Sequence, residues 1–179
     1  MSSIQLIKNF LDEDLLKEVT EFCMHRAEFQ FVGSSASDID KMDRYYERIF
    51  WISHQNNNKL FVETIFNEIL KKTGKKYEIE RVYINGQTIG QEGSFHIDWS
   101  MPTKDHCTFL LYINPEIREE TADVNGGYTS FKYNDEIISI PPIYNRAVLF
   151  DGDVVHKASA PLDHNLLRKT IAFKLKKID

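Results

Sequence analysis

The stretch Ser94-Phe95-His96-Ile97-Asp98-Trp99 is the part of the sequence from which both fold and function can be interpreted. In an extended backbone, successive side chains point to opposite faces, so His96 and Asp98 would project the same way while Ile97 enters the packing layer. The stretch therefore predicts a strand that presents an imidazole beside a carboxylate. One more imidazole on that face would give two histidines and one carboxylate, the facial triad that holds non-haem Fe(II).

A second imidazole follows downstream, at His156. The apolar segment 148–150 runs into Asp151-Gly152-Asp153, a turn that delivers His156 just beyond it. A jelly roll could place His156 next to His96 and Asp98, because its strands wind back over one another. A His-x-Asp triplet alone is also compatible with a surface histidine beside a solvated aspartate, so the metal site is predicted from the two segments together.

Helical patterns precede strand patterns along the chain. After an opening strand at 4–10, one helix is predicted to start at Asp12-Glu13-Asp14, and a second over 60–70 is closed by Gly74. Further strands are predicted at 77–83, 94–99, 107–114, 128–132, 137–140, 146–150 and 168–174. This order predicts an α+β, β-rich fold: a double-stranded β-helix (jelly roll) with the N-terminal helices packed on one sheet. Residues 1–179 are expected to form one domain.

Composition narrows the classes of partner. The net charge is −5, and no Lys/Arg cluster stands apart from acidic neighbours, so no nucleic-acid partner is expected. No apolar run is long enough to span a bilayer, and the first residues do not resemble a signal peptide, so no membrane partner and a cytoplasmic location are expected. The two cysteines form no spacing motif that would predict a disulfide framework or a thiolate zinc site.

The strand predicted at 168–174 carries a candidate anion-binding residue. Arg168 shares a face with Thr170 and Ala172, and an arginine on the inner wall of an apolar barrel is costly unless it meets an anion. A planar guanidinium suits a carboxylate in bidentate geometry. Because neighbouring strand residues face opposite ways, only one of Arg168 and Lys169 can point inward. The small side chains beside it favour Arg168.

Together, His96-Ile97-Asp98, His156 and Arg168 resemble, in this order, the Fe(II)- and 2-oxoglutarate-dependent dioxygenases, and the finer pattern is similar to the prolyl 4-hydroxylase-like family. The other motifs that carry the resemblance are Asn9-Phe10-Leu11, Tyr83-x-x-Gly86-Gln87, Leu111-Tyr112-Ile113-Asn114, Gly126-Gly127-x-Thr129-x-Phe131 and Ala147-Val148-Leu149-Phe150. The resemblance therefore runs over nearly the whole chain. The intervals from Tyr83 to His96 and from His156 to Arg168 are longer than is usual in the family.

The resemblance implies a set of roles. His96, Asp98 and His156 would be the Fe(II) ligands. Arg168 would bind the distal carboxylate of 2-oxoglutarate, with Tyr112 donating a hydrogen bond to the same group and Tyr83 lying near the cosubstrate. O2 and 2-oxoglutarate would be consumed, with ascorbate as a candidate reductant. The implied reaction hydroxylates a substrate carbon of a peptidyl proline and releases succinate and CO2.

Other functions are compatible with the same residues. The same chemistry could act on a free amino acid or another small molecule. A nucleic-acid dealkylase is suggested by Lys174, which follows Arg168 on the same strand face, although the acidic net charge opposes it. A cupin-type metal protein, which does not use 2-oxoglutarate, is one alternative, but it would not explain a buried Arg168. A non-catalytic jelly-roll module is another, but it would not need the complete set of metal ligands.

A flap over the substrate is predicted from residues 33–40, which are rich in Ser, Gly and Asp and are followed by Tyr45, Tyr46 and Trp51. The alternative is an ordinary surface loop followed by core aromatics. A mobile flap would help to exclude water during oxygen chemistry.

Overall fold

Antiparallel strands make up most of the protein. The computed structural model describes residues 3–34 and 49–178, and the pairings between its strands are all antiparallel. The strands are β1 (Ile4–Ile7), β2 (Gln30–Ser34), β3 (Ile49–His54), β4 (Lys76–Gln87), β5 (His106–Tyr112), β6 (Thr129–Tyr133), β7 (Glu136–Ile140), β8 (Ala147–Asp151), β9 (His156–Ala158) and β10 (Arg168–Ile178). The helices are α1 (Glu13–His25), α2 (Phe66–Thr73) and α3 (Ala122–Asn125), and a π-helical turn over Leu60–Ile65 leads into α2.

The first two helices begin and end at residues that the sequence indicates. Asp12 caps α1, its carboxylate accepting a hydrogen bond from the backbone N–H of Leu15 at 3.0 Å. Gly74 ends α2 in the left-handed conformation, with φ 65°, and its N–H donates to the carbonyl of Leu70. Their apolar faces belong to one buried cluster with residues of the large sheet, among them Phe109.

Two sheets face each other across a second core. The larger has seven strands in the order β1-β8-β5-β10-β4-β3-β2, and the smaller has three in the order β7-β6-β9. Their facing side chains form one cluster, in which Phe131 of the small sheet packs edge-on against Phe150 of the large one at 5.0 Å between ring centroids. This arrangement agrees with the predicted jelly roll, and it leaves a cavity between the sheets where the predicted site residues lie.

The segment 94–99 is not a strand, which corrects the prediction made for it. It forms a single bridge to the small sheet at His96, paired with His156. Beyond the bridge, the side chain of Asp98 is bonded to Thr108 and Lys174 on the large sheet. Because these contacts draw the chain away from β9, the ladder stops after one pair.

Several other elements differ from the expectation. Gly33 and Ser34, the start of the predicted flap, belong to β2, which pairs with β3. The rest of that flap, with Tyr45 and Tyr46, lies outside the described residues. Trp51 lies in β3, paired with Gly86. The segment 114–125, between β5 and β6, ends in the short helix α3.

Among the described residues, none of the helices combines the length and apolar character that crossing a bilayer requires.

Candidate metal centre and anion site

Three potential metal ligands converge at the edge of the small sheet. His96 and His156 are joined by two backbone hydrogen bonds, each N–H donating to the other residue's carbonyl at 2.9 Å. The Asp98 Oδ1 atom lies 3.6 Å from His96 Nε2, and its Oδ2 lies 3.5 Å from His156 Nε2. One ligand atom from each of the three side chains lies within 4.8 Å of the others. The backbone pairing thus sets the separation of the two imidazoles.

Both imidazoles are held in the tautomer that a metal requires. His96 Nδ1 lies 2.8 Å from the carbonyl oxygen of Ser94, and His156 Nδ1 lies 3.0 Å from that of Val154. A carbonyl oxygen only accepts, so each Nδ1 carries the proton and each Nε2 keeps its lone pair facing the shared point. Burial lowers the pKa of His156 to about 4, although Asp98 opposes this shift. At neutral pH His156 is therefore a neutral ligand.

The carboxylate of Asp98 is fixed through one of its oxygens. Oδ2 accepts a hydrogen bond from Thr108 Oγ1 at 2.5 Å and contacts the ammonium of Lys174. Burial would raise the pKa of Asp98, but Lys174 and His156 hold it well below its usual range. Asp98 is therefore ionised, and Oδ1 is left facing His96. Two imidazoles and one carboxylate in this arrangement fit a divalent transition metal.

Lys174 is buried and its ammonium is surrounded by acceptors. It donates to Thr108 Oγ1 at 3.2 Å in addition to its contact with Asp98, and the Tyr83 hydroxyl interacts with it as well. Burial would lower the pKa of Lys174, but Asp98 and Tyr83 raise it above its usual value. The ammonium is therefore charged, and Asp98 neutralises it.

Arg168 lies at the other end of the same cavity, with 2% of its surface exposed. Its guanidinium donates to the Gly127 carbonyl at 2.6 Å, to Gln87 Oε1 at 2.9 Å and to Thr129 Oγ1 at 3.1 Å. None of these partners is a carboxylate. Burial lowers the pKa of Arg168, and among the described residues the group that opposes this shift is the Tyr112 phenol. A buried cation with neutral partners is a site for an anion.

Lys169 faces the opposite way from Arg168. Its ammonium reaches Met24 of α1, with Nζ 3.1 Å from Sδ. Thr170 is the next residue on the inner face, and Asn85 lies opposite it on β4. The buried hydroxyl oxygen of Thr170 and the side-chain amide oxygen of Asn85 have no hydrogen-bond partner in the part of the chain that the structure describes. Both residues line the cavity between Arg168 and the three ligands. Unsatisfied buried polar atoms are rare, and here they indicate space for a polar ligand.

The two tyrosines of the predicted site lie at different places. Tyr112 is fully buried, and its hydroxyl donates to Thr129 Oγ1 at 2.8 Å, so it adjoins a partner of Arg168. Tyr83 lines the cavity near Lys174, at the end that holds the metal ligands. The structure thus brings Tyr112 towards the anion site and Tyr83 towards the metal site.

Sequence reasoning missed the groups that support these ligands. Thr108 and Gln87 carry no motif that would single them out. Lys174 was noted only for its position on the strand face of Arg168, not as a partner of Asp98. The carboxylate of Glu80 accepts a hydrogen bond from Trp99 Nε1 at 3.0 Å and lies 3.1 Å from His106 Nε2. A β-bulge in β4 turns the Glu80 side chain towards these two residues. The period-2 pattern of the strand contains no signal for such a bulge.

Comparisons with known proteins place the fold. No protein-family model matches the chain, and no curated protein matches it in sequence. Among solved structures, a prolyl-4-hydroxylase from Pseudomonas putida matches with a TM-score of 0.71 and 13% identity over 100% of this chain and 95% of that one. A prolyl hydroxylase from Trichoplax adhaerens, solved with a peptide of hypoxia inducible factor, matches with a TM-score of 0.67 and 19% identity over 97% and 83%.

A non-heme alpha ketoglutarate dependent epimerase from nogalamycin biosynthesis also matches, with a TM-score of 0.68 and 10% identity over 98% of this chain and 77% of that one. These similarities confirm, at the level of the fold, the resemblance to prolyl 4-hydroxylases and other 2-oxoglutarate oxygenases that the sequence motifs suggested. The protein has the jelly roll of that class.

Proposed function

We propose that this protein is an Fe(II)- and 2-oxoglutarate-dependent dioxygenase that hydroxylates a substrate carbon, with a peptidyl proline as the substrate. The observation on which the proposal rests is the set of side chains that line one cavity. Two histidines and one aspartate lie at one end, and at the other lies a buried guanidinium that has no carboxylate partner among the described residues. The shared fold with prolyl hydroxylases supports the choice of substrate.

His96, Asp98 and His156 would hold the iron. The carbonyls of Ser94 and Val154 fix the imidazole tautomers, so the metal needs no proton to leave a ring nitrogen before it binds. Lys174 and Thr108 occupy Oδ2 of the aspartate, which directs Oδ1 to the metal. When bound, iron and 2-oxoglutarate would couple oxidative decarboxylation of the oxo acid, giving succinate and CO2, to insertion of one oxygen atom of O2 into a C–H bond.

Arg168 would bind the distal carboxylate of 2-oxoglutarate. Gly127, Gln87 and Thr129 hold the guanidinium in place before the acid arrives, so little side-chain freedom is lost on binding. The unpartnered Thr170 hydroxyl could donate to the same carboxylate. Tyr112, one hydrogen bond away through Thr129, and Tyr83, at the metal end, are assigned as further contacts of the cosubstrate.

A small-molecule substrate is the second candidate, and the size of the cavity favours it. The cavity that the described residues form has a volume of about 270 Å³, near the lower end of the roughly 300–1,000 Å³ that ligand pockets span. The same chemistry on a free amino acid would fit this space. The suggestion of a nucleic-acid dealkylase loses its basis, because Lys174 is neutralised by Asp98.

The test is anaerobic reconstitution of the whole chain with Fe(II), followed by a screen for succinate formation stimulated by proline-containing peptides and by free amino acids. We expect succinate to form only with 2-oxoglutarate, O2 and a stimulating substrate. The variant D98A should abolish it. Substrate-stimulated turnover that survives in D98A would contradict the proposal, because the metal would then be held elsewhere.

A further inference from the structure

The cavity contains more positive than negative charge. Among the described residues, the charged side chains that line it are Arg81, Arg168, Lys174 and Asp98. Asp98 neutralises Lys174 by direct contact. Under the function proposed above, Arg168 takes the distal carboxylate of the cosubstrate. Of the cations that line the cavity from residues 3–34 and 49–178, this leaves Arg81, in a protein whose net charge is −5.

Arg81 is placed at the metal end of the cavity by the pairing of β4 with β10. It lies directly across from Lys174, next to the bulge that leaves Glu80 without a partner on β10. Its guanidinium carbon lies 4.9 Å from the centroid of the Tyr83 ring, a stacking geometry that holds the side chain over the cavity wall. Arg81 is therefore connected to Asp98 by three contacts, through Tyr83 and Lys174.

The guanidinium of Arg81 has no acidic partner of its own within residues 3–34 and 49–178. It forms no ion pair or side-chain hydrogen bond there, and its only recorded contact is the Tyr83 ring. The adjacent acid, Glu80, is already bonded to Trp99 and His106. The donors of Arg81 are thus exposed to solvent at the mouth of the cavity, where a planar guanidinium can receive a carboxylate with two parallel hydrogen bonds.

We propose that Arg81 binds a carboxylate of the substrate, so that the substrate class is acidic. This inference rests on the proposed oxygenase function and narrows it. The carboxylate can come from an Asp or Glu beside the target residue of a peptide, or from the carboxyl group of a free imino acid. In an acidic protein, a cationic cavity mouth also concentrates anionic substrates at the site.

The experiment measures binding in the absence of turnover. The whole chain is loaded with Mn(II) and saturating 2-oxoglutarate without O2, and ligands are titrated by calorimetry. Two matched sets isolate the charge: proline peptides that carry Glu or Gln on either side of the proline, and N-acetylproline against N-acetylprolinamide. The first set tests the peptide source of the carboxylate and the second tests the free-acid source.

In one of the two sets we expect the acidic member to bind about tenfold more tightly, the effect of one hydrogen-bonded charge. R81Q should remove this preference and leave Mn(II) and 2-oxoglutarate binding unchanged. R118Q is the matched control, because Arg118 is also exposed and lies over a tyrosine, 5.9 Å from the ring of Tyr144, yet does not line the cavity. It should keep the preference.

Two results would overturn the inference. One is the absence of any charge-dependent binding in both sets, and the other is a preference that R81Q retains to the same degree as R118Q. Failure of the unaltered protein to bind Mn(II) or 2-oxoglutarate would instead contradict the proposed oxygenase function. The two failures are therefore distinguishable in the same titrations.

Discussion

The ammonium of Lys174 contacts the carboxylate of Asp98 in the interior of the protein, with 6% and 8% of the two side chains exposed. Asp98 is thus both a candidate metal ligand and the counterion of a buried lysine. Removing it leaves an uncompensated charge in a site that excludes water. The variant D98A is therefore expected to affect the fold as well as metal binding.

The first prediction separates these two effects of Asp98. D98N should lose metal binding and lower the free energy of unfolding by about 3–5 kcal/mol, the usual cost of breaking a buried ion pair. The double variant D98N/K174M should recover much of that stability but not the metal. Chemical denaturation and metal titration of each variant make the measurement.

K174M alone is the control for the pair. It keeps His96, Asp98 and His156, and Thr108 still holds Oδ2 of the aspartate, so it should still bind metal. Loss of metal binding in K174M would show that Lys174 is needed to orient the carboxylate.

A second prediction concerns the anion site. R168Q should weaken 2-oxoglutarate binding by about ten- to a hundredfold, the effect of losing a charge-assisted hydrogen-bonded contact, and leave metal affinity nearly unchanged. K169Q should change neither, because Lys169 faces Met24 on the far side of the sheet. Calorimetry of 2-oxoglutarate binding to the metal-loaded variants tests both, and a larger effect of K169Q would contradict the assignment of Arg168.

A third prediction uses the backbone beside Arg168. Gly127 has φ 72°, and a Cβ there would lie 2.8 Å from Arg168 Cδ. G127A should therefore displace the guanidinium and destabilise the fold by about 1–3 kcal/mol. Its affinity for 2-oxoglutarate should fall while metal binding persists. G90A is a suitable control, because Gly90 also has a positive φ, 81°, but a Cβ there would meet no other atom within 4 Å.

The fourth prediction concerns pH. Burial lowers the pKa of His156 from 6.5 to about 4 in the folded protein, so the unfolded chain binds the proton more readily. The stabilising contribution is complete above pH 6.5 and is lost as the pH falls towards 4, by roughly 3 kcal/mol in all. The groups that face His156, namely Asp98, His96 and Lys174, modulate this shift.

The measurement is the free energy of unfolding of the metal-free protein between pH 7.5 and 4.5. H156Q should show a flatter dependence than the unaltered protein. H164Q should not, because His164 is a surface residue with 78% of its side chain exposed. Equal slopes for H156Q and the unaltered protein would contradict a neutral, buried His156.

The inward position of Arg168 and the shared face of His96 and Asp98 could be predicted from side-chain alternation, whereas Tyr83 and Tyr112 were assigned only from the family resemblance. Side-chain alternation placed Arg168 inward and Lys169 outward, and the structure has them so. The two histidines and the aspartate lie together, although the backbone that carries the first of them is a single bridge and not the expected strand. The predicted clustering of the three side chains is therefore present, but an isolated bridge, and not a strand, positions His96.

What could not be predicted depends on contacts between distant parts of the chain. The pairing of Lys174 with Asp98 requires β10 to lie beside the loop after His96, and only the folded topology specifies this. The bulge at Glu80 interrupts the strand period at a position where the sequence itself is regular. Strands β2, β3 and β9 were not predicted from the sequence; β2 contains Gly33, and β9 has only three residues.

The hydrogen bonds between the backbones of His96 and His156 allow amide hydrogen exchange to report on the opening of the site. Each amide proton is covered by the carbonyl of the other metal-ligand residue, so neither can exchange with solvent unless the two histidines move apart. The exchange rates of these two amides therefore measure how often the ligand pair opens. A metal that bridges both rings would slow the two rates together, and a ligand that binds only at Arg168 would not.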